Sequence, residues 1–215
     1  MVKVPRRSRV RRLVALFSAA AFLLSPALLH AFHHHLSEED VREAYFFGQH
    51  HDLRVGKFFD AYEKPFRHAA HDPAVRAIGV RTPYSAAVLR SYKAGNTFSA
   101  QRAWQDYTER PQVFEVVVWI DVPLAAAQQT YVLNSAGTFL KMFAVKLSSQ
   151  ERIVDPRKTL VIPQYLAGGD SSVLSGAEMH FEYDVQEVAS AVASIQVTSQ
   201  TGKIVAASFD LAALR

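Results

Sequence analysis

The spacing of apolar residues changes near Pro111, and this change limits the possible folds more than any other feature of the chain. Before Pro111, apolar residues recur three and four positions apart, the period of a helix with one buried face. After Pro111, Phe114, Val116 and Val118 alternate with their neighbours, the period of a β-strand. β-branched and aromatic residues occupy both sides of this stretch, so we expect both of its faces to be covered.

Four helix starts are predicted between residues 36 and 110. Each has a side chain that can accept hydrogen bonds from the free N–H groups of a first helical turn, at Ser37, Asp52, Thr82 and Ser99. Three acidic residues follow Ser37 and complement the helix dipole, and Pro83 suits a first turn through its fixed φ. Residues 75–80 alternate enough to predict one short strand within this helical part.

Six strands are predicted after Pro111, separated by turn residues. They are expected at Val113–Ile120, Thr138–Leu147, Thr159–Leu166, Ala177–Val185, Val192–Ser199 and Lys203–Phe209. Gly202 lies in the short connection between the last two, where a hairpin needs a positive φ. Short strands at such spacing are typical of sandwiches and barrels. We therefore predict an α+β fold, in which an N-terminal helical layer packs on a C-terminal antiparallel β-sandwich or open barrel.

The same change in spacing sets the predicted boundaries. Residues 1–31 form a leader, residues 32–111 a mainly helical region, and residues 112–215 an all-β, sandwich-like region. The helical region has too few apolar residues to fold alone, so we expect both regions to form one compact unit.

The first 31 residues have the pattern of a secretory signal peptide. Six Lys and Arg residues precede Leu13, an apolar run continues to Leu24, and small residues suit cleavage after Ala27 or Ala31. The alternative is an uncleaved anchor, but the apolar stretch is interrupted by a serine and a proline and is shorter than the roughly 20 residues that a spanning helix needs. We expect a periplasmic or secreted protein with no transmembrane span after cleavage.

Export would change the charge of the protein. The whole chain has 24 Lys and Arg against 20 Asp and Glu, and loss of the six leader cations leaves 18 against 20, a net charge of −2. Basic residues interleaved with aromatic ones are not concentrated anywhere in the remaining sequence. These features argue against a nucleic-acid partner, because binding to phosphates needs clustered cations.

The chain contains no cysteine, which excludes several kinds of site. It cannot form disulfides, a cysteine nucleophile, a cysteine-ligated metal centre or a lipid anchor on cysteine. An exported chain of this composition must be held together by its core alone. About 184 residues suffice, because a domain of that size buries roughly 70% of its unfolded surface.

Histidines are concentrated in one part of the chain. Seven of the nine are His33, His34, His35, His50, His51, His68 and His71. Neutral imidazole binds zinc and copper, so a metal site is predicted at His50, His51, His68 and His71, with Asp52 or Asp72 supplying a carboxylate. The alternative is that these are solvated loop residues, since the HExxH spacing of known zinc sites is not present.

A second candidate is the acidic run from Glu178 to Asp184. In a strand, Glu178, His180, Glu182 and Asp184 point to one face, and Met179, Phe181 and Tyr183 point to the other. Three carboxylates and an imidazole could bind a metal or transfer protons. Alternation of this kind also describes a strand with one face in the core and one in water, and we expect the polar face to be solvated.

Four segments resemble those of an uncharacterised family of exported bacterial proteins. They are LSEEDVREAYFFGQ, TPYSAAVLRSY, SAQRAWQDYTERP and GKIVAASFDLAAL. The resemblance implies a recurring architecture over most of the chain after the leader. It brings with it no catalytic residue, cofactor or partner.

These observations favour a non-enzymatic binding or structural module in the cell envelope or outside the cell. No nucleophile–base pair, phosphate-binding loop or dinucleotide motif can be assembled from the sequence. We expect a protein, glycan or small molecule as the ligand, and no cofactor. The alternative is a periplasmic metal-binding or metal-dependent protein that uses zinc or copper at the histidines between His33 and His71.

Overall fold

The structure, a computed structural model, describes most of the chain after the predicted leader. The described residues are 35–67, 72–123, 136–168, 171–188 and 190–215. The predicted signal peptide and two of the four predicted metal ligands, His68 and His71, lie outside them. Among the described residues, no helix combines the length and apolar character needed to cross a membrane.

The described residues form five helices. They are α1 (Glu38–Gly48), α2 (Leu53–Asp60), α3 (Pro83–Ala94), α4 (Ala100–Glu109) and α5 (Ala136–Met142). All four predicted N-caps are confirmed: Ser37, Asp52, Thr82 and Ser99 each accept a hydrogen bond from a backbone N–H of the first turn. The first four helices therefore begin where local sequence predicts, because each cap satisfies donors that would otherwise lack a partner.

The helices pack closely on one another. Gly48 lies where α1 crosses α3, and a Cβ there would be only 2.8 Å from the Cβ of Ser91. Val41, Ala44 and Val88 are fully buried at this crossing. The absence of a side chain at Gly48 thus permits the close packing that fixes α3, the helix that carries part of the site described below.

The described residues also contain nine strands, which form two antiparallel sheets. The strands are β1 (Glu63–Pro65), β2 (Ala74–Arg81), β3 (Val113–Asp121), β4 (Phe143–Ser149), β5 (Arg152–Val154), β6 (Lys158–Gly168), β7 (Ser171–Asp184), β8 (Val192–Ser199) and β9 (Ile204–Asp210). The first sheet has the order β1-β2-β3-β7-β6, and the second has the order β5-β4-β8-β9. All pairings are antiparallel, as predicted.

Residues of both sheets contribute to one apolar core. Phe114 and Met179 of the first sheet belong to the same buried cluster as Leu147 and Phe209 of the second. The strand predicted within the helical part is β2, and it pairs with β3. Residues on the two sides of Pro111 therefore lie in one sheet.

The prediction of one strand over residues 138–147 is wrong in its first half. Helix α5 continues to Met142, and β4 begins only at Phe143. Phe139, Met142 and Phe143 are three and four residues apart, so this stretch fits a helical period as well as an alternating one. The fully buried ring of Phe139 takes the helical turn into the core. Strands β1 and β5 were not predicted, because three residues are too few to establish a period.

Candidate functional site

A row of four charged side chains crosses the first sheet on its outer face, which is opposite the core. By the register of the strands, Arg81 on β2 lies beside Glu115 on β3, Glu115 beside Glu182 on β7, and Glu182 beside Lys158 on β6. The guanidinium of Arg81 is 2.8 Å from Glu115, and the ammonium of Lys158 is 3.2 Å from Glu182. We call these four residues the charged row.

His180 binds the charged row from the neighbouring position on β7. Its Nδ1 is 2.8 Å from Oε1 of Glu115, while Arg81 donates to Oε2 of the same carboxylate. Burial raises the pKa of Glu115, but the hydrogen bond from His180 and the charge of Arg81 outweigh burial and hold that pKa below its usual value. Glu115 is therefore ionised near neutral pH, and the proton of this hydrogen bond resides on Nδ1 of His180.

The other nitrogen of His180 is enclosed. Nε2 lies 3.4 Å from a carboxylate oxygen of Glu178 without making a hydrogen bond to a described residue, and it has no access to solvent. The other oxygen of Glu178 accepts a hydrogen bond from Gln164 at 2.7 Å. The prediction of a solvated polar face is thus wrong for His180, whose side chain is only 11% exposed. An enclosed Nε2 cannot exchange protons with a substrate in this conformation. The geometry therefore favours a role for His180 in holding the side chain of Glu115 in position.

A cleft of about 420 Å³ opens between the helices and one end of the charged row. Glu115, Glu182 and Lys158 of the row line it, together with residues of α3, α4 and the start of β3. Two further cations line it, Arg90 from α3 and Arg110 from the end of α4. We call this space the cationic cleft, and its volume is within the range of about 300–1,000 Å³ that is usual for small-molecule sites.

Three arginines share one carboxylate beside the cationic cleft. Asp106 on α4 lies 3.7 Å from Arg90, 3.4 Å from Arg102 and 3.4 Å from Arg110. The side chain of Asp106 is nearly buried and that of Arg90 is one-third exposed, so solvent screens this pair less than it screens Arg102 and Arg110, which are more than half exposed. Burial, and then the charge of Arg110, lower the pKa of Arg90, and Asp106 acts in the opposite direction. One negative charge for three positive ones leaves a surplus of positive charge around Asp106, and two of the three arginines, Arg90 and Arg110, line the cleft.

The spacing of residues on α4 creates this cluster. Arg102, Asp106 and Arg110 are four residues apart, so they lie along one side of the helix, and Arg90 approaches from α3. Contacts of 3.4–3.7 Å are longer than a good charged hydrogen bond, so the guanidinium groups keep N–H donors for another partner. Paired arginines of this kind suit an oxyanion, which two guanidinium groups can hold from two sides.

The two described histidines of the predicted metal site contact different residues. His50 lies against the ring of Phe47, with centroids 6.4 Å apart, and His51 lies against Tyr92, with centroids 4.7 Å apart. Both oxygens of Asp52 are engaged by Arg54, the backbone N–H with Oδ1 and the side chain with Oδ2. Within the described ranges, no three histidine or carboxylate side chains are grouped closely enough to hold a metal ion. The prediction for His68 and His71 remains untested.

Of the charged residues that line the cationic cleft, Glu182 was a candidate from the sequence, whereas Arg90, Arg110, Glu115 and Lys158 were not singled out. The four-residue spacing of Arg102, Asp106 and Arg110 is visible in it, but this pattern also describes an ordinary solvated helix. Arg81 and Glu115 are 34 residues apart, and only the strand register brings them together.

No protein-family model matches this chain, and no curated protein is similar enough in sequence to match it. What the cationic cleft binds must therefore follow from its own chemistry.

Proposed function

We propose that this protein is an exported, non-enzymatic binding module whose ligand is an anion held in the cationic cleft. The observation that carries the proposal is the cluster of Arg90, Arg102 and Arg110 around the single carboxylate of Asp106. A bound anion would supply the missing negative charge. Its interaction with Arg90 would be strengthened because that side chain is partly removed from water.

The charge of the exported chain supports the same function. Without the predicted leader the chain has a net charge of −2, yet one wall of the cleft has surplus positive charge. Such a local field directs anions to one place on a surface that otherwise repels them. This argument depends on export, which rests on the signal-peptide pattern of residues 1–31.

The finer architecture is also part of the proposal. We take the two sheets as the layers of a β-sandwich, because side chains of both contribute to one core. The helices then form a third layer at one end of the first sheet, where α2 contacts β1 and α3 contacts β2. Ligand sites are common at such junctions, since two layers meet there without filling all the space.

Binding of simple anions tests the proposal. Inorganic phosphate and butyrate should each bind the purified protein with a stoichiometry of one in isothermal titration calorimetry. Arg90→Gln and Arg110→Gln should each weaken this binding about tenfold, because each removes one charged hydrogen-bonding group from the ligand.

Arg54→Gln is the matched control. Arg54 is also an ion-paired arginine, but it pairs with Asp52 at the exposed start of α2 and does not line the cleft. Its replacement should leave anion binding unchanged. The proposal fails if neither anion binds, or if the three variants weaken binding equally.

The alternative of a metal-binding protein stays a prediction that concerns His50, His51, His68 and His71. Protein purified without a histidine-affinity step should contain stoichiometric zinc or copper if the alternative is correct. The metal should then be lost in a His68→Ala, His71→Ala double variant. This alternative would be excluded if the protein contains no metal and its melting temperature does not change when zinc or copper is added.

A further inference from the structure

The lining of the cationic cleft is mixed in character. Besides Arg90 and Arg110 it includes small or apolar side chains, among them Pro83, Ala86, Ala87 and Phe98, which we call the apolar wall. Ala86 and Ala87 are adjacent residues on α3, and both remain partly exposed. Their methyl groups and the ring of Phe98 make part of the lining apolar. A polar ligand group against these carbon atoms would lose its hydrogen bonds to water without replacing them.

The floor of the cleft limits the charge of a ligand. Glu115 and Glu182 both line it, so a ligand with a second negative charge would meet carboxylates. Arg81 and His180 occupy the oxygens of Glu115, and Lys158 pairs with Glu182. Because these partners offset the charges of the two carboxylates, one negative charge of a ligand can lie near the floor. The surplus positive charge is confined to the side of Arg90 and Arg110.

We propose that the ligand is an amphipathic monocarboxylate, with its carboxylate at Arg90 and Arg110 and an apolar body against Ala86, Ala87 and Phe98. This inference rests on the proposed anion-binding function and adds the class of the ligand. The planar guanidinium fork suits a carboxylate, and the apolar wall provides the part of the affinity that depends on the size of the ligand.

A series of straight-chain carboxylates tests this inference on the purified protein. Affinity should rise about three- to fourfold with each methylene group from acetate to octanoate, because burial of a methylene contributes about 0.8 kcal/mol. The increase should stop when the chain exceeds the space in the cleft. Suberate has the same length as octanoate with a second carboxylate at its far end, and it should bind at least tenfold more weakly than octanoate.

A variant of the apolar wall provides a second measurement. Ala86→Gln introduces a polar side chain at a half-exposed helical position that is compatible with glutamine. The variant should lose most of the gain in affinity between acetate and octanoate that the wild-type protein shows. If the variant does not fold, the comparison of octanoate with suberate on the wild-type protein decides the question alone.

The outcomes separate the two levels of the proposal. If phosphate or acetate binds as tightly as octanoate and depends on Arg90, the inference about the apolar body is wrong and anion binding stands. If suberate equals octanoate, the inference is wrong in the same way. If phosphate and every carboxylate fail to bind, both the inference and the proposed function fail.

Discussion

The two faces of strands β3 and β7 differ in what they contribute. The inner face presents only apolar and aromatic side chains to the core, namely Phe114, Val116, Val118, Met179, Phe181 and Tyr183. The outer face of the same strands carries Glu115, Glu178, His180 and Glu182. One face therefore provides most of the stability through burial, and the other provides the floor of the cationic cleft.

This difference shows how a sheet can carry a polar site without becoming unstable. The side chains of Glu115 and His180 are largely buried, but each has a charged partner, so the cost of removing them from water is offset. The inner face needs no such compensation, because burial of carbon is itself favourable. Substitutions on the two faces should consequently differ in both size and pH dependence.

The largest effect is expected from truncation of the inner face. Phe114→Ala should lower the free energy of unfolding by about 3–5 kcal/mol, because Phe114 is fully buried and its removal leaves a cavity. Trp119→Ala is the matched comparison, since Trp119 is an aromatic residue of β3 that lies on the outer face against Gly79 and is partly exposed. It should cost about 2 kcal/mol. Urea unfolding at pH 7 measures both, and equal costs would contradict the division between the faces.

A smaller loss is expected from the outer face. Glu115→Gln should cost about 2 kcal/mol at pH 7, because it leaves the largely buried guanidinium of Arg81 without its carboxylate and Nδ1 of His180 without a charged hydrogen-bond partner. Glu182→Gln serves as the control. Its partner Lys158 is largely exposed, so this change should cost less than about 0.5 kcal/mol.

The contribution of Glu115 should depend on pH in a defined direction. Its pKa in the folded protein is below the usual value of 4.5, so the folded state binds this proton less readily than the unfolded state does. The stabilisation is therefore fully present above pH 4.5 and is lost as the pH falls through the lower, folded-state pKa. Glu115→Gln should flatten this acid loss, measured by urea unfolding between neutral and acidic pH. An unchanged acid profile would mean that Glu115 is not held ionised by its neighbours.

The helix starts and most strands could be predicted from sequence because their signals are local. Ser37 and Asp40 bind each other three residues apart, and β8 has the predicted bounds because its alternation is complete. Residues 138–142 were predicted wrongly because two periods fit the same apolar residues. The helix forms there because it places the ring of Phe139 in the core.

The site could not be predicted in the same way because its parts are distant in sequence. Glu115 is 65 residues from His180, and the two side chains meet because β3 pairs with β7. Within the acidic run from Glu178 to Asp184, the division of side chains between the faces was correct, but the partners of Glu178, His180 and Glu182 come from β3 and β6. The surplus charge around Asp106 likewise depends on Arg90, which belongs to another helix.

A gain in stability is expected from one change on the inner face. The hydroxyl of Tyr183 is buried and makes no hydrogen bond to any described residue, and burial raises the pKa of this group. Tyr183→Phe removes an unpaired polar group and keeps the ring, so it should raise the free energy of unfolding by about 1 kcal/mol. Urea unfolding checks the sign. A loss of stability would show that the hydroxyl makes a favourable contact.

The smallest effect on stability is expected at the exposed end of the charged row. Lys158 is largely exposed and pairs with Glu182 at 3.2 Å, and such surface pairs contribute roughly 0–1 kcal/mol. Lys158→Gln should therefore change the free energy of unfolding by less than about 0.5 kcal/mol. It should nevertheless weaken the binding of octanoate about two- to threefold, because it removes one positive charge from the lining of the cleft while Glu182 remains.

This pair of measurements is the sharpest comparison between the two faces. A variant that keeps its stability and loses affinity assigns Lys158 to binding alone, whereas Phe114→Ala should lose stability without altering the affinity of the protein that remains folded. High salt should reduce the effect of Lys158→Gln on binding, because an exposed charge is screened over about 10 Å at 0.1 M ionic strength. If Lys158→Gln instead lowers stability as much as Glu115→Gln does, the outer face contributes to folding along its whole width, and the separation of roles is wrong.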